Sequence, residues 1–218
     1  MRIGKLAFVG SVFLLLGMAR ALADETQRRY VETHGDRTLV VQYGVTRSTD
    51  GFVVSSVDAR STETGRWQTG RGLVSWQQLI PSIGNNINAR RAGNTITITG
   101  TLAGRQVNRE VSIDAAPWYQ IFGPAMADLL PRGSDRQEFW VVNPADLAAH
   151  KMMVRRAGEE SIDFKGAKVP AERIHFSPAG ALAPFWGADF WYRLSDALWI
   201  YSRLPEDGGL TVNTLDTP

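Results

Sequence analysis

Thr95-Ile96-Thr97-Ile98-Thr99 alternates without a slip, isoleucine at the even positions and threonine at the odd. Successive side chains of a strand point to opposite faces, so this stretch has one dry face and one wet face. A two-faced strand of this kind belongs in an antiparallel sheet packed on one side. Working outward, Leu39, Val41, Tyr43 and Val45 repeat the pattern. Val107, Val111 and Ile113 do so too, with Arg109 interrupting their apolar face. Turn formers punctuate the runs at His34-Gly35-Asp36, Asp50-Gly51, Glu63-Thr64-Gly65, Gly93-Asn94, Ala103-Gly104, Lys165-Gly166, Ser195-Asp196 and Glu206-Asp207-Gly208-Gly209. Gly, Asp and Asn take the positive φ angles that tight hairpin turns need. The pattern predicts about ten to twelve strands, drawn from fourteen stretches near 27–34, 37–48, 52–61, 66–76, 86–92, 94–101, 105–113, 137–142, 150–157, 159–164, 167–176, 189–194, 198–204 and 210–215, some of them irregular or merged. The expected fold class is all-β: a strongly curved antiparallel meander that forms a half-open or closed barrel.

One region departs from the meander. Between Asp114 and Ala149 lie Pro117, Pro124, Pro131 and Pro144, and proline lacks the donor that a central strand requires. Asn143-Pro144-Ala145-Asp146 has the look of a helix start, an N-cap followed by proline. Pro124 to Leu130 is a second short helix by expectation, with Trp118, Ile121, Phe122, Met126 and Leu129 turning apolar groups to one side. The reading is therefore a short helical insert near 114–149 dividing two β halves.

The chain opens with Arg2 and Lys5, continues with 14 apolar or small residues from Leu6 to Ala19, and reaches Ala21-Leu22-Ala23 before the polar Asp24-Glu25. Positive, apolar and then small residues is the order of a secretory signal. As a helix the apolar stretch would reach about 21 Å, short of a hydrocarbon core of about 30 Å. The expected organisation is a cleaved signal peptide over 1–23 and a single β domain over 24–218, periplasmic or secreted. No later segment is apolar enough to span a bilayer as a helix. The chain contains no cysteine, so an oxidising compartment supplies no disulfides and the core alone must hold the fold.

Losing Arg2, Lys5 and Arg20 takes the formal charge from +2 to −1. No basic block remains, which excludes a nucleic-acid partner. Arg28-Arg29, Arg90-Arg91 and Arg155-Arg156 lie far apart, and on strands each pair splits between the two faces. All 7 tryptophans fall after residue 23; they supply large apolar area for a core or for the walls of a pocket.

Motifs for catalysis are missing. His34, His150 and His175 form no metal-binding spacing, and no cofactor is expected. Gly70-Arg71-Gly72 stands outside any βαβ unit. A hydrolase or lyase acting on envelope polymers would have to draw on Asp114, Asp189 or His175. The aromatic clusters are the strongest non-random feature. Trp118, Tyr119, Phe122, Trp140, Phe185, Trp186 and Trp191 are the candidate ligand-binding residues, either as core or as the lining of an apolar pocket capped by the insert.

The stretch Glu160-Ser161-Ile162-Asp163-Phe164-Lys165-Gly166-Ala167-Lys168-Val169-Pro170-Ala171-Glu172-Arg173-Ile174 is one piece of a resemblance. Asp189-Phe190-Trp191-Tyr192-Arg193, turning at Ser195-Asp196 into Leu198-Trp199-Ile200-Tyr201, is the other. Together they resemble exported bacterial β-rich families of unknown function, which are similar to the half-open barrel of periplasmic lipoprotein carriers. The resemblance covers residues 137–215. It implies a curved sheet with an apolar concave face and brings no functional residue with it. The sequence favours a non-enzymatic protein that binds an apolar or amphipathic, lipid-like envelope molecule. The alternative is an envelope assembly factor working through a protein partner.

Overall fold

The computed structural model describes residues 24–124, 129–130, 133–206 and 209–216. The expected signal peptide, Met126 and the Asp207-Gly208 pair lie outside these residues. Eight strands come first: β1 (Asp24–His34), β2 (Arg37–Ser48), β3 (Gly51–Val57), β4 (Thr62–Gln68), β5 (Gly72–Ile80), β6 (Asn85–Ala92), β7 (Thr95–Leu102) and β8 (Arg105–Ser112). Six follow the insert: β9 (Arg136–Val142), β10 (Ala149–Phe164), β11 (Ala167–Pro178), β12 (Ala188–Arg193), β13 (Trp199–Glu206) and β14 (Gly209–Leu215). All fourteen belong to one curved, unclosed antiparallel sheet. Its order runs from β8 back to β1, crosses to β14, and runs back to β9. β1 pairs with β14, setting Tyr30 opposite Leu215; β8 and β9 are the two edges.

The alternation that predicted the sheet also orients it. Ile96 and Ile98 are fully buried while Thr95, Thr97 and Thr99 beside them stay wetter. Inward-facing residues from both halves join one apolar cluster that runs from Ile96 on β7 to Phe139 on β9. The free edge at β8 is mostly exposed and carries Arg105, Arg109 and Glu110. Charged edges discourage pairing with another chain.

Four local expectations are corrected. The stretch 66–76 is two strands, because Gly70 and Gly72 both take positive φ (74° and 73°) and turn the chain around Arg71. The stretches 150–157 and 159–164 are one strand, because Gly158 (φ 104°) absorbs a β-bulge and the pairing with β11 continues past it. Glu63-Thr64-Gly65 lies inside β4 and makes no turn. Gly65 is there for space: a Cβ on it would meet the Trp67 ring at 2.5 Å. The turn instead falls at Asp58–Ser61, where the Asp58 carboxylate accepts the Ser61 amide at 2.9 Å. Finally, Asn143 does cap, accepting the Ala145 amide at 3.0 Å, but no helix follows. Leu147 donates to the Asn143 carbonyl and then takes φ 60°, which ends the coil after one turn.

Candidate functional site

The insert leaves β8 and lies on the concave side of the sheet. Its backbone is held from both halves. Leu73 on β5 donates to the Trp118 carbonyl at 3.3 Å, and Trp118 and Trp140 on β9 form a short parallel bridge beside the edge, closed by the Tyr119 amide on the Trp140 carbonyl and the Trp140 amide on the Pro117 carbonyl, each at 2.8 Å. The Arg91 guanidinium donates to the carbonyls of Ala116 (2.8 Å), Asp114 (3.0 Å) and Gly93 (2.9 Å). Arg91 faces inward and Arg90 outward, the split that strand geometry requires. Asp114 is fixed by Lys151 and by the Trp140 indole N–H at 2.8 Å. These two donors, Lys151 foremost, hold its carboxyl well below the usual carboxylate range.

The insert thereby puts an aromatic plug into the hollow. Tyr119 meets Trp67 (5.3 Å between ring centres), Phe122 (6.2 Å) and Phe139 (6.0 Å). Phe176 on β11 touches Phe122 at 4.9 Å and Trp186 at 5.1 Å. Trp118 is 0% exposed and bonds Gln120 through its indole N–H. Of the residues predicted from sequence, Trp118, Tyr119 and Phe122 thus come together, with Trp140 beside them. Trp186 joins through Phe176 and donates to the Pro205 carbonyl at 2.9 Å. Trp191 sits apart from this group, covered by Tyr201 and bonded to Glu160 at 2.8 Å. Phe185 projects outward, 81% exposed, at the end of a 3-10 segment spanning Gly180–Phe185.

A cleft of about 1240 Å³ opens at one end of the barrel, where the β2–β3, β4–β5 and β6–β7 turns gather. Its floor is apolar: Phe52, Trp67, Val74, Pro117, Trp118 and Tyr119. Phe52 stacks on Trp67 at 5.1 Å with the rings 8° from parallel. Its rim carries Arg47, Arg71 and Arg91, one from each hairpin. Sequence reading pointed to Trp118 and Tyr119 but passed over Phe52 and the three arginines. Only the register of the hairpins brings them to one mouth, and no local motif signals that.

A smaller cleft of about 570 Å³ lies under the 3-10 segment, lined by His175, Ser177, Phe185, Trp186 and Gly187 among others. Here His175 bonds Asp189 across the β11–β12 pair at 2.9 Å. A histidine base would work through its other ring nitrogen. That edge packs on Gly187, where a Cβ would come within 2.8 Å of Nε2. Asp114, held by Lys151, belongs to the insert and not to this pair. The described residues contain no group of three or more side chains suited to a metal ion.

The opposite end of the hollow is polar. Glu63 on β4 accepts the Trp76 indole N–H and the Gln78 amide, each at 3.1 Å. Burial raises its carboxyl above the ordinary range, against these two hydrogen bonds. Glu32 is raised as well, by burial first and then by Glu206. A raised folded value means that the native state holds its proton more tightly than the unfolded chain. The stability this brings is complete at pH below the unfolded value and is lost as pH rises through the folded one. Glu63→Gln keeps both accepted bonds and removes the charge. It is expected to raise Tm by roughly 2–4 °C near pH 8 and to leave it close to wild type near pH 4, as thermal melts followed by circular dichroism will read.

No protein-family profile and no curated protein matches this sequence. Seven solved chains match this one, among them the following two. One is a beta-barrel-like protein of the domain of unknown function DUF1849 from Brucella abortus, with TM-score 0.55 and 10% identity over 89% of this chain and 96% of that one. The fold is β-barrel-like. The other is a DUF1329 family protein from Desulfovibrio piger, with TM-score 0.32 and 9% identity over 90% of this chain and 85% of that one; at that score it bears no weight. No helix among the described residues is long and apolar enough to cross a membrane.

Proposed function

We propose that this barrel-like domain is exported and binds an apolar or amphipathic, lipid-like molecule of the cell envelope without catalysing a reaction. The observation behind the proposal is the cleft at the end of the barrel, floored by Phe52, Trp67, Val74 and the aromatic insert. Ligand sites are concave and mostly apolar, with a few polar groups placed to orient the ligand; their usual volume is about 300–1,000 Å³. The cleft is somewhat larger than that and has the same make-up. The resemblance of residues 137–215 to half-open carrier barrels agrees with this reading. So does the order of charge and apolarity in residues 1–23, which supports export to the periplasm or beyond.

Protein isolated from its native envelope should begin at Asp24, by mass, and should bind a fluorescent fatty-acid analogue that lipid extract displaces. Phe52→Ala removes a ring from the wall of the cleft and is expected to weaken that binding by about tenfold, the equivalent of about 1.4 kcal/mol. A folded chain that binds no analogue at all ends this reading. If that chain also emerges from crosslinked envelopes with a protein attached, the assembly-factor reading replaces it.

A further inference from the structure

We propose that the outer face of the second half of the sheet docks on an anionic lipid bilayer, with Phe185 entering the headgroup layer and Arg136, Arg155 and Arg203 resting on its phosphates. The inference concerns a surface remote in kind from the cleft and stands whatever that cleft holds.

The argument begins with strand register. Arg136 on β9 lies opposite Arg155 on β10, and Arg155 opposite His175 on β11. His175 lies opposite Asp189 on β12, and Asp189 opposite Arg203 on β13. Residues directly opposite one another share a face of the sheet. Their chain neighbours Val154, Phe176, Phe190 and Ser202 are buried, so this row looks outward. All three arginines are exposed. With strands about 4.8 Å apart, a row across five strands is about 19 Å long. It carries three guanidinium groups and one carboxylate, and the Asp189 carboxylate is engaged by His175 at 2.9 Å. Glu138, two residues along β9 on the same face, is paired with Lys151 at 3.3 Å.

The 3-10 segment Gly180–Phe185 adds an apolar tip beside the row. Ala181, Pro184 and Phe185 are exposed. Phe185, at 81%, is the most exposed large apolar side chain among the described residues. A phenylalanine left in water forgoes the gain of burial, which a covering surface would recover. The segment is pinned at both ends. The Ala179 amide donates to the Lys151 carbonyl at 3.0 Å. Trp186 donates to the Pro205 carbonyl at 2.9 Å and packs edge-on against Phe176. Phe185 is therefore held out on a fixed mount. Arg155 and His175 line the same small cleft as Pro184 and Phe185, which places the tip next to the row.

The occupant follows from the two features together. Cations spread over five strands suit an extended anionic plane better than one small anion. At a bilayer surface, apolar side chains sink into the headgroup boundary while basic ones are drawn to the lipid phosphates. Guanidinium is well shaped for phosphate oxygens.

The test is co-sedimentation of the mature chain with vesicles of phosphatidylcholine, alone or mixed equally with phosphatidylglycerol. The chain should partition to the anionic vesicles at least about tenfold more strongly, and high salt should shrink the difference. Arg155→Gln combined with Arg203→Gln should lower the partition constant for anionic vesicles about thirtyfold. Arg66→Gln with Arg90→Gln removes the same charge from the outer face of the first half and should leave binding near wild type. Phe185→Ser should weaken binding about tenfold, while Phe185→Leu keeps most of it. The substituted side chains are all exposed, and circular dichroism will verify that each variant is folded. Equal binding to neutral and anionic vesicles overturns the inference. So does a folded Arg155→Gln, Arg203→Gln chain that binds as the wild type does. Phe185→benzoylphenylalanine, photolysed in the native envelope, should attach to phospholipid. Attachment to a protein instead overturns the inference and gives this face to a protein partner.

Discussion

Trp118→Ala is expected to cost about 3–5 kcal/mol, the range for truncating a buried aromatic to alanine. The ring is fully enclosed, its N–H is satisfied by Gln120, and its carbonyl ties the insert to β5. Removing it empties the joint between the plug and both halves of the sheet. The drop should appear as a shift in urea midpoint, and as a Tm lower by roughly 10 °C for a domain of this size. Because Trp118 also belongs to the cleft floor, the size of the loss carries information. A cost below about 1 kcal/mol would mean that the ring is loosely held and that its face is open to a ligand.

Gly123→Ala is expected to be nearly as severe, at about 2–4 kcal/mol. Gly123 has φ 106°, where a side chain is strained, and a Cβ there would meet the Trp199 ring at 2.5, 2.6 and 2.8 Å. Its carbonyl also accepts the Tyr192 hydroxyl. Trp199 cannot retreat, since it stacks on Tyr30 at 4.2 Å and packs edge-on against Tyr43. The substitution should lower the melting point and change the near-ultraviolet circular dichroism of the tryptophans. Gly35→Ala is the control. It has positive φ with nothing within 4 Å, so it isolates backbone strain from collision. If the two variants lose the same amount, the contact with Trp199 contributes nothing.

Most of the fold can be read in the chain because strand alternation and turn chemistry are local. β2 was placed at 37–48, and its bounds agree with the structure. The errors share one cause. Glycine serves several ends, and the sequence does not say which. Gly65 makes room for a tryptophan, Gly158 bends a strand, and Gly70 and Gly72 reverse the chain. The site is less legible. Its aromatic members announce themselves as clusters, whereas Arg47, Arg71 and Arg91 are separated by whole strands and meet only through the sheet. The polar end, with Glu32 and Glu63, leaves no sequence signal either, since each carboxylate sits in a strand of ordinary composition.

Among the described strands, every pairing but one joins neighbours along the chain; the exception is the seam between β1 and β14. Sequential hairpins assemble from local contacts, whereas that seam brings together residues as distant as Tyr30 and Leu215. Local contacts form fast and distant ones slowly. Assembly therefore favours two half-sheets that mature separately, each waiting with one unsatisfied flank, and the seam zips last. Until it does, the backbone groups of β1 and β14 are open to any other extended chain, so crowding and partner supply during this interval govern the yield of correctly joined molecules.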